Sequence, residues 1–197
     1  MRPFLYFAGD RLSSPELMAA CLDGHLVELG EGFMPADAVE TRELRAASLR
    51  ALMTTGLALT HASAAWVHGA AMSAPRRHCV QRTSERRGLH VVDVRLRYRD
   101  GRLPPEDLVI VSGVAVTTPE RTLADLVRDD VLHDRTGTEV VDALITTYPA
   151  LPATALAQLE RSGPLHRKRA ALAYLRERAA RCDPNRGPPA SQDEVTR

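Results

Sequence analysis

Period-two strand patterns in the middle of the chain, helical spacing at both ends and turn signals between them point to an α+β architecture. The 197 residues suffice for one medium domain with a small module attached, and 44% hydrophobic content provides for a packed core.

Taken in order, Ser13-Ser14-Pro15-Glu16 opens a helix with a serine cap, a proline in the first turn and an acid near the positive helix end. Leu17, Met18, Cys21 and Leu22 follow at helical spacing, and Asp23-Gly24 stops the helix. Residues 25–29, the turn Gly30-Glu31-Gly32 and residues 33–35 read as a short hairpin. A short helix followed by a hairpin is the end of a winged helix-turn-helix. The first twelve residues are too few for the preceding helices, so residues 1–38 are predicted to form a degenerate version of that module.

Residues 39–150 are predicted to form a mixed α/β domain. It opens with a helix over 39–55 that turns Leu44, Ala47, Ala51 and Leu52 inward and ends at Gly56. Residues 57–60 are extended, and Ser63 to His68 make a short helix closed by Gly69. Strands are predicted over 78–83 and 89–99. In the second, Val92, Val94, Leu96 and Tyr98 alternate with Asp93, Arg95, Arg97 and Arg99, which gives a half-buried strand with arginines outward. Residues 108–111 and 114–117 form a hairpin around Ser112-Gly113. Thr118 caps the next helix, with Pro119 at its first position. In that helix Leu123, Leu126 and Val127 face inward, and Arg121 and Asp125 lie one turn apart, able to pair. A helix over 138–147 follows.

Residues 151–182 are predicted as a helical hairpin, helices 152–161 and 164–181 breaking at Ser162-Gly163-Pro164. The last helix is expected to bury Leu172 and Leu175 and to expose Arg167, Lys168, Arg169, Arg176 and Arg178. Residues 183–197, rich in Pro, Gly, Asn and Ser, are expected to be a disordered tail.

The net charge of +1 conceals strong segregation. Residues 1–40 hold two arginines against seven acids, and residues 76–102 hold nine arginines against three. Residues 103–148 return to three basic against nine acidic, and residues 161–181 carry seven basic against one. Such blocks either present anion-binding patches to a partner or neutralise each other across the fold. Lys168 is the single lysine, so the cations are guanidinium groups suited to phosphate and carboxylate.

Several chemistries are disfavoured. The sequence has no phosphate loop of the Gly-x-x-x-x-Gly-Lys type, no Gly-x-Gly-x-x-Gly and no Gly-x-Ser-x-Gly elbow. Cys21, Cys79 and Cys182 are too scattered for a disulfide framework or a Cys-x-x-Cys zinc site. His61 and His68 lie about 10 Å apart along a helix, too far to share a metal, and read as structural. His68, at a helix end, is expected to bond a backbone carbonyl or a buried acid. Lys168 has no acid two places before it, which disfavours a metal-dependent nuclease. Only Tyr98 and Tyr174 of the aromatics lie in basic segments, a weak signal for stacking of single-stranded RNA. No cofactor, metal or catalytic residue is indicated. The expectation is a reduced, cytoplasmic, non-enzymatic protein.

Thr60-His61-Ala62-Ser63-Ala64-Ala65-Trp66-Val67-His68-Gly69 resembles the Ser-Ala-Ala-x-x-His-Gly segment of AbiEi-type antitoxins, bacterial transcriptional regulators linked to abortive infection. Val116-Thr117-Thr118-Pro119-Glu120-Arg121-Thr122-Leu123-Ala124-Asp125-Leu126 resembles the same family's Val-Thr-Ser/Thr-Pro-x-Arg-Thr-Leu-x-Asp-Leu segment, at a fitting distance along the chain. Residues 22–33 are similar to its helix end and wing. The resemblance implies a winged helix for operator DNA, and a second domain serving antitoxicity against a nucleotidyltransferase toxin.

By position, the DNA-reading helix would present Ser13 and Ser14 to the bases. It offers no arginine or lysine, so phosphate contacts are expected mostly from Arg76, Arg77, Arg82, Arg86 and Arg87, assisted by Arg42 and Arg45. Ser63, His68, Gly69, Arg121 and Asp125 of the family segments read as structural ties. Asp183-Pro184 and residues 191–197 are similar to the opening of an endonuclease-like domain of the very-short-patch-repair type in longer actinobacterial relatives, which implies a form without it. The competing function is a protein-interaction module, or a remnant of such a fused relative, that does not bind DNA.

Overall fold

The computed structural model describes residues 4–85, 93–134 and 137–182. Its N-terminal part holds helix α1 (Ser14–Leu22) and the hairpin β1 (Leu26–Leu29) and β2 (Gly32–Pro35). α1 starts where the sequence requires: the Ser13 hydroxyl accepts from the Glu16 amide, and the Glu16 carboxylate accepts from the Ser13 amide at 2.7 Å. The segment before α1 lies against the hairpin, with Tyr6 and Phe33 exchanging backbone hydrogen bonds at 2.9 Å in both directions.

α2 (Arg42–Ser48), capped by Thr41, gives way to a 3-10 turn at Arg50–Leu52, so the single helix expected over 39–55 is two short pieces. Leu52 and Ala47 are buried as expected, but Ala51 is exposed because the tighter 3-10 winding rotates it off the inner face.

Five strands form a mixed sheet in the order β5-β4-β3-β7-β6, from β3 (Leu57–Leu59), β4 (His78–Arg82), β5 (Leu96–Arg102), β6 (Leu108–Val111) and β7 (Val114–Thr117). β3 runs antiparallel to β4 and parallel to β7; β4 and β5 are parallel; β6 and β7 form the expected hairpin. β5 begins later and ends later than the predicted 89–99 strand, of which 89–92 lie outside the described residues. Val94 is 87% exposed because the Asp93 carboxylate accepts from both the amide and the guanidinium of Arg95 and holds a turn there. The outward arginine stripe is thereby broken, and only Leu96 to Tyr98 keep the alternation.

α3 (His61–Val67) joins the sheet to a helical layer of α4 (Pro119–Asp125), α5 (Thr138–Thr147), α6 (Leu151–Arg161) and α7 (Lys168–Cys182). α4 continues into a π-helix at Leu126–Asp134 that the residue pattern did not announce. α7 begins at Lys168 rather than at Pro164, and it buries Ala171 and Leu175 while Leu172 is only partly covered. Two cores result. The first packs Leu29 and Met34 of the hairpin with Trp66, Val67 and the sheet residues Leu59, Val80 and Val116. The second packs Leu123, Leu126 and Val127 with Val141, Leu144, Leu159 and Leu175. α3 serves both: Ala64 and Trp66 face the first core and Ala65 the second, and its buried small residues let the layers approach closely. Among the described residues no single helix is long and apolar enough to cross a membrane.

Candidate functional site

The first motif segment, 60–69, ties α3 into the sheet. The buried Ser63 hydroxyl accepts from the Cys79 amide at 2.9 Å, and the Thr60 amide donates to the Cys79 carbonyl at 2.9 Å. Gly69, at φ 90°, ends the helix, and the Ala70 amide turns back to the Ala65 carbonyl at 2.9 Å. Just before it, His68 Nε2 donates to the Thr117 carbonyl at 2.7 Å. That bond places the proton on Nε2, while Nδ1 is buried without a partner among the described residues. Burial pushes the His68 pKa below the usual histidine range, against the opposing hydrogen bond to Thr117.

The second segment, 116–126, supplies a buried ion-pair network. Thr118 caps α4 by accepting from the Arg121 amide. Arg121 donates from Nε to Asp125 Oδ2 at 2.8 Å and from Nη1 to Asp107 Oδ2, while Gln158 of α6 donates to the other oxygen of Asp107. Asp125 Oδ1 accepts from Arg128 at 2.8 Å, and Arg128 reaches the His166 carbonyl at 2.9 Å. Arg128 also lies 3.6 Å from Asp129, whose Oδ2 is 3.1 Å from His61 Nε2 and 3.6 Å from Arg99. The chain of charge therefore runs from α6 to β5 along the seam between the two cores. Burial disfavours the charged forms of Arg121 and Asp129. The partners win in both cases: Asp125 and Asp107 raise the Arg121 pKa, and His61, Arg128 and Arg99 lower that of Asp129.

Arg121, Asp125 and Arg128 line a cavity of about 860 Å³ between the loop after β5, α4 and α6, with Arg102, Glu106, Glu120 and Arg161 also in its lining. The cavity presents both signs of charge on a partly apolar wall. That suits a protein side chain or another ligand that carries both, rather than a polyanion.

The arginines expected to grip DNA are dispersed. Arg45 reaches Glu40 at 2.5 Å, donates to the carbonyls of Trp66 and Ala71, and stacks 5.3 Å from the Trp66 ring centre. Arg82 is buried against the Ser84 and Glu85 carbonyls, 3.8 Å from Asp100. Both are engaged within the fold, Arg82 with the loop that follows β4 and Arg45 with the end of α3 and the loop after it. Arg42 is exposed beside Glu43, and Arg76 and Arg77 are exposed, Arg77 bonding the Leu96 carbonyl at 2.9 Å. Arg86 and Arg87 lie outside the described residues. The Ser13 side chain is committed to its capping box, and Ser14 is exposed on the first turn.

Several of the clustered charges are paired, partly between opposite blocks (Arg95 with Glu31, Arg178 with Asp142) and partly within one stretch of chain. Arg95 pairs with Glu31 at 2.5 Å and with Asp93 at 2.7 Å, Arg102 with Glu85 at 3.0 Å, Arg176 with Glu160 at 2.7 Å and Arg178 with Asp142. Glu31 also approaches His78, whose pKa burial lowers against the pull of that carboxylate.

Sequence reasoning paired Arg121 with Asp125 but missed Asp107, Gln158, Arg128, Asp129 and His61 as members of one network. The signal available for Arg128 was its three-residue spacing from Asp125; for Asp107 and Gln158 there was none. Among the described residues no cluster of three or more His, Cys, Asp or Glu side chains is placed to hold a metal ion.

The model of the AbiEi antitoxin C-terminal domain family matches residues 54–177, which include both motif segments and most of the cavity wall. No curated protein matches the chain. Among solved structures, the crystal structure of the RV2827C protein from Mycobacterium tuberculosis is similar at 20% identity, covering 83% of this chain and 70% of that one with a TM-score of 0.34.

Proposed function

Since the chain belongs to the AbiEi antitoxin family, we propose that it is an antitoxin-type regulator that works through protein contact, its partner a nucleotidyltransferase toxin. The observation that carries this reading is the pairing of clustered arginines within the fold. Arg45 and Arg82 are engaged inside the fold, and the exposed Arg95 and Arg102 are met by carboxylates of their own chain, so these cations favour a mixed-charge protein contact over a polyanion. The mixed-charge cavity beside Arg121 is the natural seat for a side chain of the partner. In this reading the role is non-catalytic, as is typical of the family.

A second reading is operator binding through the N-terminal module, residues 1–38, as a degenerate winged helix. The capped α1 followed directly by a hairpin favours it. In that reading Ser13 and Ser14 face the bases, and Arg42, Arg76, Arg77, Arg86 and Arg87 reach phosphates.

Co-expression with the product of a neighbouring gene separates the two. Co-purification, with relief of growth arrest, supports the protein-contact reading. Retardation of the chain's own promoter fragment, steeply weakened between about 50 and 200 mM salt and without co-purification, overturns it in favour of operator binding.

A further inference from the structure

A second cavity, of about 670 Å³, lies between the N-terminal segment and the α2 region, far along the chain from the Arg121 network. Its size is ordinary for a small-molecule site. Phe4 and Tyr6 line it together with Arg11 and Arg50, while Ala47 and Ala51 leave room on the opposite wall and the ring of the neighbouring Phe7 packs beside Gly32 on the first core. We propose that this cleft binds a nucleotide unit, a planar base stacked on the aromatic wall with its phosphate on the guanidinium side.

Three observations carry the proposal. Phe4 is 55% exposed and holds φ at 78°, a conformation rare for a bulky side chain, so its ring is displayed at a backbone cost that burial does not offset. Tyr6 is fixed by its paired backbone bonds to Phe33, which makes that wall rigid before any ligand arrives. Arg50, exposed at the start of the 3-10 turn, places a guanidinium at the rim of the cleft opposite the aromatic wall. Aromatic faces beside guanidinium groups are the pairing that single nucleotides and unpaired bases require: stacking is indifferent to sequence, and the planar cation suits phosphate. The sequence hides this arrangement because the aromatics and Arg50 lie more than forty residues apart.

The same chemistry is offered by a free nucleotide and by a base in a single strand. Isothermal titration of the whole chain with AMP, adenosine and a short oligothymidylate tests the proposal and separates these sources. AMP is expected to bind more tightly than adenosine. Arg50→Ala should weaken AMP about tenfold, the size of one lost charge-assisted hydrogen bond, with little change for adenosine. Phe4→Ala should weaken both. Tighter binding of the oligonucleotide than of AMP assigns the site to single strands, and the reverse assigns it to free nucleotides. Both substituted side chains are exposed, and an unchanged circular dichroism spectrum reports the intact fold. Absence of binding by AMP and oligonucleotide alike, or binding insensitive to both substitutions, overturns the proposal.

Discussion

His68 Nε2 donates to the carbonyl of Thr117 at 2.7 Å, which joins the ends of the two family segments across 49 residues of chain. The histidine closes α3 and the threonine closes β7, so this bond ties the end of that helix to the sheet beside the Ser63 and Thr60 bonds to Cys79. Around it the Thr117 and Thr122 hydroxyls meet at 2.7 Å, and the Tyr148 hydroxyl donates to the His68 carbonyl at 3.2 Å.

His68→Ala is expected to destabilise the fold by about 2–4 kcal/mol, since it opens a cavity and leaves a buried carbonyl without its donor. Urea unfolding at neutral pH measures this as a lower midpoint at unchanged slope.

The same histidine, with His78, makes the fold sensitive to mild acid. Both folded pKa values are lowered by burial, so both rings stay neutral in the fold while the unfolded chain takes up protons. Stability is therefore full above the unfolded pKa of about 6.5 and declines as pH falls below it, until the folded groups protonate in turn. Thermal midpoints between pH 7.5 and 5.5 should fall, and His68→Asn should flatten the decline; a flat profile in the parent protein contradicts the assignment.

Arg121→Ala removes the shared donor of Asp107 and Asp125, leaving Asp107 with the neutral Gln158 as its side-chain donor and Asp125 with Arg128 alone. The expected loss is about 3–5 kcal/mol. Arg121→Lys should recover only part of it, because an ammonium cannot present Nε and Nη1 to two carboxylates at once. A double-mutant cycle with Asp125→Asn should give a coupling energy well above that of the exposed Arg181–Glu177 pair.

Asp129 adds a second, more acidic transition. Its folded pKa lies below the ordinary carboxylate value, so its contribution is present above pH 4 and is lost as pH falls through the folded value. Asp129→Asn should weaken the fold at neutral pH and abolish that part of the acid dependence, as followed by circular dichroism.

Gly30 sits at φ 57° in the hairpin turn, and a Cβ there would meet the Ser48 hydroxyl and approach Leu49 Cδ2 to 3.0 Å. Gly30→Ala should cost about 1–3 kcal/mol and loosen the hairpin from α2. Gly163→Ala, where a Cβ meets open space, serves as the neutral control.

Much of the local structure was legible from residue order. Ser13 with Glu16, Thr118 with Pro119, and Ser112-Gly113 between apolar pairs each announce an element, because caps and turns are contests between neighbouring backbone groups and one side chain. The two motif segments identified the family for the same reason: they are short and contiguous. Where the expectation failed, a remote contact had overridden the local preference. The strand predicted from residue 89 starts at Leu96 because Asp93 and Glu31 hold Arg95 in a turn, and Glu31 lies 64 residues away. The helix over 39–55 breaks where Leu49 and Leu52 must reach the first core.

Residue order alone therefore settled the capped starts of α1 and α4, the two hairpins and the family to which the chain belongs. Tertiary structure alone decided the fate of the charges. Alternating blocks of arginine and carboxylate read identically whether they face a partner or one another, since Coulomb attraction depends on distance in space and not along the chain. Packing brought Arg121 to Asp107, Asp129 to His61 and Glu31 to Arg95, pairing charges that lie far apart along the chain.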